Sequence, residues 1–288
     1  MRKKQTANVA EPISGEKLFQ VRARAALPLL VRQALARSAV CYTDLATELG
    51  MSNPRNLNYV LGAVGRTLER LSRRWDEKVP PIQSVVYNKT TGLPGHGIGG
   101  FFMKPEAFAK LTPSRKKRVI TDALESVFAY PHWPEVLKAL QLKPAGSNNI
   151  PLIASAARFR GGGESDAHRR LKEYVAANAH KVGVQRDLVG SVEYALPSGD
   201  SVDVVFDGRA EWTAVEVKPS TSPEKDVVRG IFQCVKYRAV IEALHVSLGK
   251  PQTVRAILVL EGKLPMRLVQ LKNILGVEVL EGVKPRRA

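Results

Sequence analysis

The sequence predicts a two-domain α/β protein, a mainly helical first part followed by a mixed sheet flanked by helices. Three observations predict it. The chain has 288 residues, which corresponds to about two domains at roughly 150 residues each. Apolar residues recur every three and four positions between 57 and 71, as in a half-buried helix. Between 191 and 218 the period falls to two, and the strands this implies are followed by a helix, a strand, a helix and a strand.

Composition narrows the function classes. Lys plus Arg number 44 against 27 Asp plus Glu, a net charge of +17, which points to a polyanionic partner, nucleic acid ahead of an acidic membrane. Residues 1–150 hold 23 basic and 11 acidic residues, so the excess lies mainly there. An apolar fraction of 44% is ordinary for globular domains. No apolar run of about 18 residues occurs, and Met1-Arg2-Lys3-Lys4-Gln5-Thr6 leads into no apolar signal core. A soluble, cytoplasmic protein without membrane association is expected. Cys41 and Cys234 permit neither a disulfide framework nor a thiolate metal cage. His96, His132, His168, His180 and His245 lack zinc-ligand spacing.

Residues 1–15 read as a basic tail and 16–104 as the first domain. A helix is expected over Glu16 to Arg37, bent at Pro28, and a short one over Thr43 to Leu49. After the Gly50-Met51-Ser52 turn comes a long helix from Asn53 to Trp75. Leu57, Val60, Leu61, Val64, Leu68 and Leu71 form its buried stripe, leaving Arg55, Arg66, Arg70, Arg73 and Arg74 on its surface. Short helix, glycine turn and long basic helix suggest helix-turn-helix geometry, with the second helix in a DNA groove. Pro80 to Tyr87, a loop with Gly92, Gly95, Gly97, Gly99 and Gly100, and Phe101-Phe102 would form a two-stranded wing. The alternative is a helical bundle that merely solvates its arginines.

Tyr42-Thr43-Asp44-Leu45-Ala46, Val60-Leu61-Gly62, Val79 to Val86 and Gly99-Gly100-Phe101 resemble the DNA-binding domain of alkylguanine alkyltransferases and alkyltransferase-like proteins. Where that family carries its Pro-Cys-His-Arg box, this chain has Pro81-Ile82-Gln83-Ser84. The resemblance therefore implies a winged-helix DNA-binding domain without alkyl transfer.

Residues 105–160 are expected to form a helical connector and linker. Thr112 caps a helix with Pro113 in its first turn, and Arg115-Lys116-Lys117-Arg118 on it offers phosphate contacts or a solvated face. Lys143 to Asn149, followed by Gly161-Gly162-Gly163, is the main linker.

The second domain, 161–288, starts with a helix from Glu164 to His180. Strands are expected over Val182–Val189, Ser191–Leu196, Ser201–Phe206 and Trp212–Lys218, with a turn at Pro197-Ser198-Gly199-Asp200. Alternation in the last strand puts Ala214, Glu216 and Lys218 on one face and Thr213, Val215 and Val217 on the other. Asp203 is a lone acid among Val202, Val204, Val205 and Phe206, and a buried carboxylate there needs a cation, a partner or water. The competing assignment makes Glu216 and Lys218 an exposed ion pair on an edge strand and His168 an ordinary helix-surface histidine. A strand over Thr253–Leu260, a helix over Leu264–Leu275 and a strand over Val277–Leu280 complete the domain.

Asp203, twelve intervening residues and Glu216-Val217-Lys218 resemble the core of the PD-(D/E)XK nuclease superfamily. Gln233 and Tyr237, four apart on the following helix with Arg229 one turn earlier, resemble the Gln-x-x-x-Tyr element of several of its branches. Ser222-Pro223-Glu224 supplies a cap for that helix. Val202 stands where the namesake proline would be, and Asp166 and His168 lie near Glu164 as supporting candidates.

The resemblance implies a restriction-endonuclease-like fold and a magnesium-dependent endonuclease, with Mn2+ able to substitute, acting in bacterial restriction, defence or repair. Asp203, Glu216 and the Val217 carbonyl would hold the ion, since hard oxygen ligands suit magnesium. Lys218 would hold the attacking water and shield developing charge. Its role is electrostatic, because nearby carboxylates raise its pKa. Glu164 would orient water or join a second ion, and Gln233 and Tyr237 would position the site or the backbone phosphate. Arg229 would face the same site and bind the nucleic acid there. Double-stranded DNA is the expected partner; a homodimer would suit it because two strands need two cuts, and the residues leave the oligomeric state open. The alternatives are a noncatalytic DNA-binding regulator on the same scaffold and a nuclease for RNA or branched DNA.

Overall fold

The structure, a computed structural model, describes residues 11–95, 101, 103, 107–108, 110–146, 149, 151, 154, 165–209, 211–249 and 253–285. Glu164, Gly97, Gly99, Gly100, Phe102 and Gly161-Gly162-Gly163 lie outside the described residues. The chain divides into two units, Met1–Ser147 and Asn148–Ala288, so the expected linker around Lys143 to Asn149 falls at the division. Among the described residues there are eight α-helices, a two-stranded sheet and a five-stranded mixed sheet. None of these helices is long and apolar enough to cross a membrane.

In unit 1, α1 (Leu18–Leu35) continues through Pro28, and β1 (Val40–Cys41) leads into α2 (Tyr42–Glu48). A 3-10 turn at Pro54–Asn56 opens α3 (Leu57–Trp75). The whole expected stripe, Leu57 through Leu71, is buried. A bidentate Arg32–Glu48 ion pair, both contacts 2.8 Å, ties α1 to α2. The expected wing strand is different. Ile82–Val85 is a 3-10 turn, and β2 (Val86–Tyr87) pairs in parallel with β1 through Val40↔Val86 rather than forming a hairpin. Ile82 and Val85 are fully buried, so their apolar side chains fill the core from a turn instead of a pleat.

The connector is different as well. Thr112 Oγ1 accepts from Arg115 N at 3.4 Å and starts α4 (Pro113–Ala129), followed by α5 (Trp133–Ala139). Val127, Trp133, Val136 and Leu137 share the core of Leu27, Leu30 and Leu68. These helices are therefore part of unit 1, because their apolar faces complete its core.

Unit 2 begins with α6 (Asp166–Ala177), capped by Ser165 Oγ accepting from His168 N at 3.2 Å. No strand forms over 182–189. Ala179–Val182 is a 3-10 turn and Gly183 follows with φ +74°, a left-handed conformation that suits glycine. Val182, Val184 and Leu188 instead cover the core beside α6 from this loop. The sheet is β3 (Ser191–Ala195), β4 (Ser201–Asp207), β5 (Glu211–Lys218), β6 (Thr253–Leu260) and β7 (Glu278–Leu280), in that spatial order. β3, β4 and β5 are antiparallel neighbours, and β5, β6 and β7 are parallel. The parallel pairs require crossovers, supplied by α7 (Glu224–Ser247) and α8 (Val269–Ile274). Leu171 and Val175 of α6 pack with Val204, Phe206, Val215 and Val217. Tyr237 and Ile241 of α7 pack with Val205 and Ala214, so each face of the sheet carries a helix.

Candidate active site

β5 presents Glu216 and Lys218 toward α7, as alternation requires. The two residues are 2% and 7% exposed, which excludes an exposed edge pair. Lys218 Nζ lies 3.0 Å from Glu216 Oε1 and 3.0 Å from Asp226 Oδ1 on the first turn of α7. Tyr237 Oη donates to Glu216 Oε2 at 3.0 Å and lies 2.9 Å from the Ser201 carbonyl. Gln233 Nε2 donates to Tyr237 Oη at 3.1 Å, so the tyrosine proton is directed onward to those acceptors. Gln233 Oε1 is buried and has no hydrogen-bond partner among the described residues.

Asp203 reaches the site by a break in alternation. Val204 packs on the α6 side, yet Val202, two residues earlier, packs with Tyr237 on the α7 side. Beside this break, on β3, Glu193 adopts φ 54°, a strained backbone for a non-glycine residue, costing on the order of 1 kcal/mol or more. The β4–β5 ladder ends at the Val204↔Val215 pair. Beyond it Asp203 Oδ2 accepts from Val217 N at 2.8 Å and lies 3.1 Å from His168 Nε2. In an extended strand the N–H and C=O of one residue point to the same side, so the Val217 carbonyl also faces the Asp203 side.

The electrostatics are those of crowded acids. Burial, then the Asp203 charge, pushes Glu216 up to about 7, while Lys218 and Tyr237 pull it down. Burial by itself would lower Lys218, but Glu216 and Asp226 outweigh it and hold the ammonium above its ordinary value. The bond to Asp203 raises His168 against the effect of burial. Burial and then the Glu216 charge raise the Tyr237 phenol, which stays a neutral donor. The Cys234 thiol is pushed well up by burial, with Glu216 and Asp203 adding to it, which argues against a nucleophilic thiolate.

The site thus brings together Asp203, Glu216, Val217, Lys218, Gln233 and Tyr237. Arg229 is half-buried on α7, one turn from both Asp226 and Gln233. His168 is not the surface histidine of the competing assignment, since it stands one turn before Leu171 and Lys172 on the buried row of α6 and bonds Asp203. Asp226 joins the site without any sequence motif to mark it, and the one signal is its spacing of seven from Gln233, which puts both on one helix face. Ser222 does not cap α7. Its N-cap is Pro223, without a side-chain bond, and Glu224 pairs with Arg267.

Among the described residues no three His, Cys, Asp or Glu side chains form a cluster suited to an ion. Three carboxylates, Asp203, Glu216 and Asp226, nevertheless share the site with the Lys218 ammonium. The Asp203 and Glu216 carboxylates and the Val217 carbonyl are hard donors that fit a magnesium-class cation completed by water.

In unit 1, Arg55, Arg70, Arg73, Arg74, Arg115, Lys117 and Arg118 are exposed. Lys116 is half-buried with Nζ 5.9 Å from the Phe108 ring centroid. Arg66 departs from expectation, being half-buried, bonded to Glu69 at 2.8 Å and stacked over Phe101 at 5.8 Å. Those internal contacts, rather than solvent, set its position. Both cysteines are buried with no disulfide. Comparison of the chain with protein-family models, with curated proteins and with solved structures gives no match.

Proposed function

We propose that unit 2 hydrolyses phosphodiester bonds in DNA with the help of Mg2+, and that unit 1 binds the duplex as a winged-helix-like module. The observation that carries this reading is the buried Glu216–Lys218 pair on β5 beside Asp203, whose carboxylate bonds the main chain of Val217 between them. A merely structural surface pair would not be buried with an excess of acid around it. The fold of mixed sheet between helices agrees with a restriction-endonuclease-like core.

Asp203, Glu216 and the Val217 carbonyl would hold the ion. When bound, Mg2+ supplies charge neutralisation at the phosphoryl oxygens and a more acidic water. Lys218, kept protonated by its two carboxylates, orients the attacking water and stabilises charge developing on phosphate. Tyr237, directed by Gln233, holds Glu216 Oε2 in place. His168 holds Asp203 against the Val217 N–H. The exposed arginines of α3 and the basic turn of α4 supply sequence-independent attraction to phosphates.

Incubation of the protein with supercoiled plasmid and Mg2+ tests the reading. Nicked and linear products are expected. No product from duplex, single-stranded or branched DNA, or from RNA, rejects a nuclease. Product from RNA or branched DNA alone reassigns its substrate.

A further inference from the structure

Lys218 ends β5, and its ammonium carries three N–H donors. Glu216 Oε1 and Asp226 Oδ1 take two of them, each at 3.0 Å. Among the described residues no acceptor takes the third. A lysine stem is flexible, so one carboxylate leaves the ammonium free to swing about a single contact. Two carboxylates from different elements, a strand and a helix, fix its place and hence the direction of the third N–H.

The packing of α7 serves this contact. Gly230, one turn after Asp226, lacks the Cβ that would stand 3.1 Å from Lys218 Cε and 3.5 Å from Glu216 Cγ. The helix therefore lies directly over both side chains. Asp226 is also the more open anchor, its side chain 18% exposed against 3% for Glu216. Glu216 is the carboxylate that a divalent ion would engage, and Asp226 keeps the ammonium in place when it does.

We propose that Asp226 is a positioning residue, which aims Lys218 at the substrate; this rests on the reading of unit 2 as a phosphodiesterase. The experiment is steady-state DNA cleavage by the full chain and by Asp226→Asn, Asp226→Glu, Lys218→Met and the Asp226→Asn/Lys218→Met double variant. Asp226→Asn is expected to lower kcat by roughly 10- to 100-fold, the scale of a misplaced catalytic group, with KM little changed. Asp226→Glu restores part of the loss. The double variant cleaves no more slowly than Lys218→Met, because both changes act on one group. A wild-type kcat in Asp226→Asn, or full additivity in the double variant, overturns the inference.

Wild-type protein that cleaves nothing refutes the phosphodiesterase reading instead. The Lys218 side-chain 15N signal, assigned by its loss in Lys218→Met, then judges Asp226 alone. An ordered ammonium that loosens in Asp226→Asn is expected, and an unchanged signal overturns the inference.

Discussion

Asp203 accepts the Val217 N–H at 2.8 Å where the β4–β5 ladder has already ended, so a carboxylate side chain stands in for the missing backbone acceptor. That contact couples the fold to the chemistry. Asp203→Ala leaves a buried N–H unpaired and is expected to cost about 1–3 kcal/mol of stability and to abolish cleavage. Asp203→Asn keeps an acceptor, so it is expected to stay near wild-type stability while losing activity equally. Urea unfolding and DNA cleavage on both variants check the separation.

Burial and Asp203 push Glu216 up to about 7, so the folded state retains its proton where the unfolded chain has lost it. This contribution to stability is full below the ordinary value of 4.5 and disappears as pH rises through about 7. His168, also raised, has the same sign, its contribution present below its ordinary value and lost as pH rises through the folded one. Without divalent ions, Glu216→Gln is expected to gain on wild type with rising pH, by on the order of a few kcal/mol. Mg2+ must displace those protons, so it is expected to raise Tm more at about pH 8 than at about pH 5. Denaturation midpoints across pH, with and without Mg2+, measure both effects.

A methyl group at Gly230 would stand 2.9 Å from Leu258 Cδ1 and 3.1 Å from Lys218 Cε. Gly230→Ala is expected to lift α7 off β5, at a cost of about 1–3 kcal/mol, and to slow cleavage through Lys218. Thermal unfolding and kcat, measured together, check it.

The two kinds of arginine on α3 and on the 3-10 turn that opens it are expected to behave differently. Arg55→Ala and Arg70→Ala remove exposed cations, so each is expected to weaken DNA binding and reduce the slope of log affinity against log salt by about 0.9 per lost phosphate contact. Arg66→Ala breaks the Glu69 bond and the Phe101 stacking, and is expected to lower stability with little change in that slope. Anisotropy titrations over a salt series distinguish them.

What was legible in the sequence followed from local periodicity. The buried stripe of α3 and the shared face of Ala214, Glu216 and Lys218 depend on residue spacing alone. The side to which Asp203 points does not, because alternation reverses between Val202 and Val204 beside the positive φ of Glu193. His168 is a supporting candidate in the sequence, but its bond to Asp203 and the contact of Asp226 with Lys218 depend on helices from either face meeting the sheet, a tertiary fact. Val182, Val184 and Leu188 resemble a strand in sequence, but the turn at Gly183 lets them cover the core from a loop. The 3-10 turn over Ile82–Val85, where a strand is expected, has the same origin, since apolar residues in such a turn are buried as fully as those in a pleat.

The most direct test of hydrolysis at this site is the single-turnover cleavage of an end-labelled DNA duplex by wild type and Asp203→Asn, with Mg2+ and with a chelator. Mg2+-dependent product from wild type, formed at least about 100-fold more slowly by the variant, is expected. Equal product from both proteins, or product that persists in the chelator, would contradict it.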